Sequence, residues 1–140
     1  MSLLLSIALV AEQPVFTVTC DSPLGQAYYM DEPDPRWISD GVKGGKISIE
    51  MYWDEPVRLL ITDVTGREIN PTSQGATVTN TSRKGSLSVS SDYGNKGILD
   101  TFLVYGREGK TYLLWTNIRD SRLARQGTRV AAFVAKCIVD

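Results

Sequence analysis

The chain has no histidine and only two cysteines in 140 residues. Without imidazole there is no Ser-His-Asp or Cys-His catalysis, no imidazole acid–base chemistry and no histidine metal site. Neither a phosphate-binding glycine loop nor a dinucleotide fingerprint is present. The stretch Asp40-Gly41-Val42-Lys43-Gly44-Gly45 lacks the spacing, and no helical pattern follows it. No Asp-x-Asp-x-Asp-Gly loop marks a calcium site. Lysine and arginine number 15 against 16 acidic residues, so there is no basic excess to hold nucleic acid. The longest apolar run, residues 2–11, is about half of what spans a bilayer. We therefore expect no cofactor, no metal, no nucleic-acid partner and no transmembrane segment. No catalytic residue is assigned, and an enzyme built on this chain would have to use carboxylates, lysine, tyrosine or serine.

What is present is strand pattern. In the last stretch, Val130-Ala131-Ala132-Phe133-Val134-Ala135-Lys136-Cys137-Ile138-Val139, a period of two puts Ala131, Phe133, Ala135, Cys137 and Val139 on one apolar face. In Val15-Phe16-Thr17-Val18-Thr19-Cys20 the residues Phe16, Val18 and Cys20 share the apolar phase. The two thiols therefore face inward from opposite ends of the chain. A disulfide between Cys20 and Cys137, joining the first and last strands, is expected, and with it an oxidising compartment.

Between these ends, Ile47, Ile49, Met51 and Trp53 alternate with polar residues, and Val57, Leu59 and Ile61 run back after Asp54-Glu55-Pro56. Residues 76–81 and 86–90 flank Ser82-Arg83-Lys84-Gly85 as a hairpin, and 101–105 and 111–116 flank Gly106-Arg107-Glu108-Gly109-Lys110 as another. Both arms of the second are nearly continuous in apolar residues, which places it centrally. The turn residues Asp21-Ser22-Pro23, the acidic loop Asp31-Glu32-Pro33-Asp34-Pro35 and the glycines around Trp37 read as loops. Residues 117–129 leave room for a helical turn or two. The sum is an all-β fold of about eight or nine strands, a small antiparallel barrel, with a β-sandwich as the alternative.

The length suits one domain, residues 12–140, preceded by residues 1–11 as a signal-peptide remnant or a first strand. Residues 1–63 carry ten acids and four bases, a net −6, and residues 64–140 carry six acids and eleven bases, a net +5. Acidic and basic strands that become neighbours screen each other, or else orient a charged partner.

The candidate binding residues follow from this pattern. Trp37 and Asp40 lie in a glycine-bent loop, and Tyr52 lies on the polar phase of its strand, whereas Trp53 and Trp115 read as core. Arg119, Arg122, Arg125 and Arg129 read as a solvated loop or a site for an anionic partner. Asp31, Glu32, Asp34, Asp40, Asp54 and Glu55 are the carboxylates from which acid and base would have to come. Asp63, at a strand end, reads as a turn-capping residue.

The set Cys20, Ser22-Pro23-Leu24-Gly25-Gln26-Ala27-Tyr28-Tyr29, Trp37, Asp40-Gly41, Gly44-Gly45, Trp115-Thr116 and residues 131–137 resembles small uncharacterised secreted bacterial proteins of about this length. The resemblance implies export to the periplasm or the medium and carries no activity with it. The expected function is non-enzymatic: an exported β-barrel that binds a protein or a small ligand. The alternatives are a carboxylate-dependent hydrolase of envelope polysaccharide and an inhibitor of such a hydrolase.

Overall fold

A computed structural model describes residues 12–120, 122 and 127–140. Its strands are β1 (Phe16–Tyr29), β2 (Trp37–Gly41), β3 (Lys46–Met51), β4 (Arg58–Thr62), β5 (Glu68–Ile69), β6 (Thr77–Arg83), β7 (Ser86–Asp92), β8 (Ile98–Arg107), β9 (Lys110–Arg119) and β10 (Arg129–Val139). Every pairing is antiparallel. Nine strands stand in the order β5-β4-β3-β1-β10-β9-β8-β7-β6, and β2 pairs β1 off that line.

The line curls into a half-barrel around the buried apolar face that its long strands share. Val18, Cys20, Ile47, Ile49 and Leu59 from one side form a single core cluster with Val89, Phe102, Leu113, Trp115 and Phe133 from the other. The strands at the ends of the line, β5 and β6, are its edges, so the meander expected to close as a barrel stays open along that side. Edge strand β6 is exposed along nearly its whole length and ends in the charged Arg83.

Strand β1 organises the sheet. It pairs β10 from Val18 to Tyr29, and its other edge is shared by β3 up to Asp21 and β2 from Leu24. The chain's first and last strands are thus neighbours, with Cys20 directly opposite Cys137. The two are bonded, S–S 2.03 Å, with Cα atoms 4.0 Å apart.

The stretch Asp21-Ser22-Pro23, expected to be a turn, is a bulge inside β1. Between the pairs Asp21–Lys136 and Leu24–Val134, Ser22 and Pro23 face the single residue Ala135. Ser22 sits at φ 47°, and Pro23, which has no N–H to leave unpaired, offers its carbonyl to the Val42 N–H at 2.8 Å. The bulge marks the point where the partner on that edge changes.

Three further expectations change. The segment around Trp37 is strand β2, since its backbone completes the β1 edge that β3 leaves open. Trp53 is not core but 81% exposed, because β3 ends at Met51 and the strand alternation stops before it. On β10 the buried phase runs from Ala131 to Ala135; Cys137 is half-buried and Val139 is exposed. Asp63 does cap its turn, with Oδ1 accepting the backbone N–H groups of Thr65 and Arg67 at 2.9 and 3.0 Å. Residues 1–11, read as a leader or first strand, and most of the 121–126 connection lie outside the described residues.

Candidate functional site

One end of the half-barrel is polar, and strand register makes it so. Working outward from the core, the first inward-facing layer is Val89, Phe102, Trp115 and Phe133, direct neighbours across β7 to β10. Trp115 lies between the two phenylalanines, with centroid distances of 5.7 Å to Phe102 and 4.5 Å to Phe133. Two residues further along, the layer is Ser91, Asp100, Asn117, Ala131 and Ala27. The next is Arg119, Arg129 and Tyr29. An aromatic floor thus carries a polar layer and then a cationic one.

The polar layer is tied to the floor. Asp100 Oδ1 accepts the indole N–H of Trp115 and an amide N–H of Asn117, both at 2.8 Å. Burial pushes the Asp100 pKa above its ordinary value, against the pull of these two donors and of Arg119 and Arg129. Burial, and then the Asp100 charge, push the Tyr93 phenol up as well. Ser91 is fully buried beside Tyr93, and its hydroxyl opposes this shift.

In the cationic layer, the side chain of Arg129 is only 10% exposed. Its Nη1 donates to the Tyr29 hydroxyl at 3.0 Å and to Asp40 Oδ2 at 3.2 Å, and its Cζ lies 5.7 Å from the Tyr29 ring centre. Arg129 Nε is buried with no partner among the described residues. Arg119, paired with Arg129 across the strands, donates from Nε to Asn117 Oδ1 at 3.3 Å. Burial and then the Arg129 charge lower the Arg119 pKa.

Beside this cluster the β1–β2 connection borders a half-open cavity of about 540 Å³ lined by Tyr29, Glu32, Pro33, Asp34, Arg36 and Ile38. Tyr29 belongs to both: its ring borders the cavity and its hydroxyl holds Arg129. The connection is tied down at Asp31, whose Oδ2 accepts the Thr128 N–H at 2.7 Å. Acidic residues of the first half of the chain thereby meet basic residues of the second.

The candidates chosen from the sequence scatter over this frame. Asp40, Arg119 and Arg129 join the inner cluster. Trp37 is on β2 with Asp40 but three residues away, hence on the opposite face of the sheet. It pairs there with Tyr28, ring centres 5.5 Å apart. Arg122 is exposed at the same end and paired with Asp120, Nη2 to Oδ2 2.6 Å. Arg125 lies outside the described residues.

Tyr52 is at the other end of the molecule. It follows Met51, the partner of Phe16 at the start of β1, and its hydroxyl donates to Glu50 Oε2 at 2.6 Å. Asp54 and Glu55 are at that far end too, roughly 40 Å of strand from Glu32 and Asp34, so the carboxylates do not form one group.

Ser91, Asp100 and Asn117 are not among the residues to which the sequence points. The signal for two of them is in the alternation: Asp100 stands on the buried phase of Phe102 and Val104, and Asn117 on that of Leu113 and Trp115. Nothing in the sequence marks Tyr29 as the partner of Arg129, 100 residues away. Among the described residues no group of acidic or cysteine side chains could hold a metal ion, and no helix is long and apolar enough to cross a membrane.

No protein-family profile, curated protein or solved structure matches the chain.

Proposed function

We propose that this chain is an exported binding protein that takes a small hydroxyl-rich ligand, of the saccharide class, at the polar end of its half-barrel. The observation that carries the reading is the cavity of about 540 Å³ beside Tyr29. Its volume falls within the ~300–1,000 Å³ of small-molecule sites. A sugar ring has an apolar face of C–H bonds and a rim of hydroxyls. Tyr29, Pro33 and Ile38 offer apolar wall to the first, while Glu32 and Asp34 offer acceptors and Arg36 donors to the second. Beneath them the Arg129–Tyr29–Asp40 cluster supplies a rigid base, so little ordering is needed on binding.

Export to the periplasm or medium is part of the proposal. The Cys20–Cys137 bond, spanning 117 residues, suits a compartment in which disulfides persist. Mass spectrometry of protein recovered from its native host should find a chain that begins between Leu9 and Pro14. An intact Met1 in a cytosolic fraction would overturn this part.

The ligand is tested by amide chemical-shift mapping and calorimetry with glucose, N-acetylglucosamine, glucuronic acid and their oligomers. Saturable shifts confined to Tyr29, residues 30–36 and Ile38 are expected. Arg36→Ala should weaken binding at least about tenfold and leave the melting temperature unchanged, because Arg36 is exposed. No saturable shift up to about 10 mM of any of these sugars would sink the reading.

A further inference from the structure

Outside the barrel, β8, β9, β10, β1 and β2 turn a second apolar surface to solvent. Strand register assembles it in rows. One row is Leu103–Leu114–Val134–Leu24, each residue the direct neighbour of the next. Another, four residues along each strand, is Leu99–Ile118–Val130–Tyr28–Trp37. These side chains are exposed, to 61% at Leu24, 49% at Val134 and 48% at Ile118. Scattered exposed leucines are ordinary on a soluble surface, but two continuous rows, one over four strands and one over five, are not.

The row between them is Thr101–Thr116–Ala132–Gln26–Ser39. The hydroxyls of Thr101 and Thr116 bond each other. At the centre of the face these two groups are already satisfied within the chain, so covering them with a dry surface leaves neither without a partner. No charged residue occurs in any of the three rows. Charges begin beyond them, at Lys136 and at Asp21, which pairs with Lys46 at 3.9 Å.

We infer that this face is covered by the same face of a second copy of the chain, in a symmetric dimer packed sheet on sheet. A two-fold axis sets a patch against its own image, so residues near the axis face their own copies, and no charge stands in the three rows to repel its copy there. Five strands about 4.8 Å apart and three rows about 7 Å apart give a face of roughly 24 by 20 Å, near 500 Å² in projection. Two such faces make roughly 1,000 Å² in projection, just below the ~1,200–2,000 Å² buried in standard specific complexes, which suits a weak dimer that forms only at high concentration. The pleats of two such rows interdigitate at the ~10 Å spacing of stacked sheets. Trp37 and Tyr28 lie on this outer side, whereas Tyr29 and Ile38 line the cavity on the inner one. The dimer therefore leaves the proposed ligand site open and stands independently of it.

Sedimentation velocity on the full disulfide-bonded chain, from about 1 to 200 μM, should give a concentration-dependent species of twice the chain mass. Leu114→Lys and Val134→Lys each bury an unpaired charge in an apolar row of the interface. Each should raise the dimer dissociation constant at least about tenfold, with near-ultraviolet circular dichroism and melting temperature of the monomer unchanged. Thr116→Arg, in the middle row, is a third variant that should act in the same way if either lysine variant folds poorly. A wild-type monomer at the highest concentration, or a dimer undiminished in all folded variants, overturns the inference. So does a monomer that instead co-sediments with phosphatidylcholine–phosphatidylglycerol vesicles, which would assign the face to lipid.

Discussion

Asp100 anchors Trp115: the indole N–H donates to Oδ1 at 2.8 Å, and the same oxygen takes the Asn117 amide at the same distance. A buried carboxylate thereby orients the ring that stacks on Phe102 and packs, tilted, against Phe133. Asp100→Ala leaves two buried donors without an acceptor, and the expected loss is about 2 kcal/mol or more. Urea denaturation followed by tryptophan fluorescence measures it.

The same residue gives a pH dependence. Burial raises the Asp100 pKa above its ordinary 3.8, so the folded state binds this proton more tightly than the unfolded chain. The contribution to stability is therefore fully present below about pH 4 and is lost as pH rises through the folded-state pKa. In Asp100→Asn that descending part of the profile should disappear. Wild-type and variant curves that run parallel from about pH 4 to pH 8 would show that Asp100 ionises without cost.

Arg129 holds β1, β2 and β10 together through Tyr29 and Asp40. Arg129→Ala removes the donor to both and leaves Asp40 uncompensated at a half-buried position. About 2–4 kcal/mol should be lost, somewhat below the cost of breaking a fully buried pair. Arg129→Lys keeps the charge without the planar fork and should recover only part of this. A double-mutant cycle with Asp40→Asn should return a coupling of about 1 kcal/mol or more; additive losses would place the role of Arg129 in packing on Tyr29 and Phe133.

Cys20 is fully buried where it meets Cys137. Reduction should lower stability by about 2–5 kcal/mol without loss of β content at low temperature, since β1 and β10 are also held by nine other register pairs. A thiol reagent applied to denatured, unreduced protein should label nothing. In native protein, dithiothreitol should reduce the bond no faster than the chain unfolds, which pulsed alkylation can follow.

The β8–β9 turn has two residues, Glu108 at φ 53° and Gly109 at φ 72°. Both central positions are left-handed, as in the type I′ hairpins that favour Asn-Gly. Glu108→Asn should accordingly stabilise the protein by about 0.5–1 kcal/mol, and Gly109→Ala should destabilise it by a similar amount. Gly25 is a stricter case, because a Cβ there would lie 1.8 Å from the Ala132 carbonyl oxygen. Gly25→Ala should disrupt the β1–β10 pairing beside the bulge, and hydrogen exchange should report early opening at residues 24–29 and 129–134.

Local alternation was enough to read the fold class, the neighbouring first and last strands and their disulfide. A strand with one buried face must repeat every two residues, and two inward thiols at opposite ends of the chain have few other partners. Inward polar positions such as Asp100 and Asn117 were legible by the same rule. Trp53 was misread because the rule holds only within a strand, and the strand ends two residues earlier. The bulge at Ser22-Pro23 carries the residues of a turn. Only the presence of β10 beside it makes it part of a longer strand.

What the sequence determined by itself is therefore periodic and local: which segments are strands, which phase is apolar, and that the two cysteines face inward. Beyond the two hairpins and the cysteine-linked ends, tertiary structure alone decided which strands are adjacent, because ladder hydrogen bonds are identical in chemistry at every pairing. That decision placed Arg129 against Tyr29 and Asp40, sent Tyr52 to the far end and Trp37 to the outer face, and aligned the outward leucines and valines of four strands into continuous rows. Each is a matter of register across strands far apart in the chain, and register is fixed only when the core layers pack.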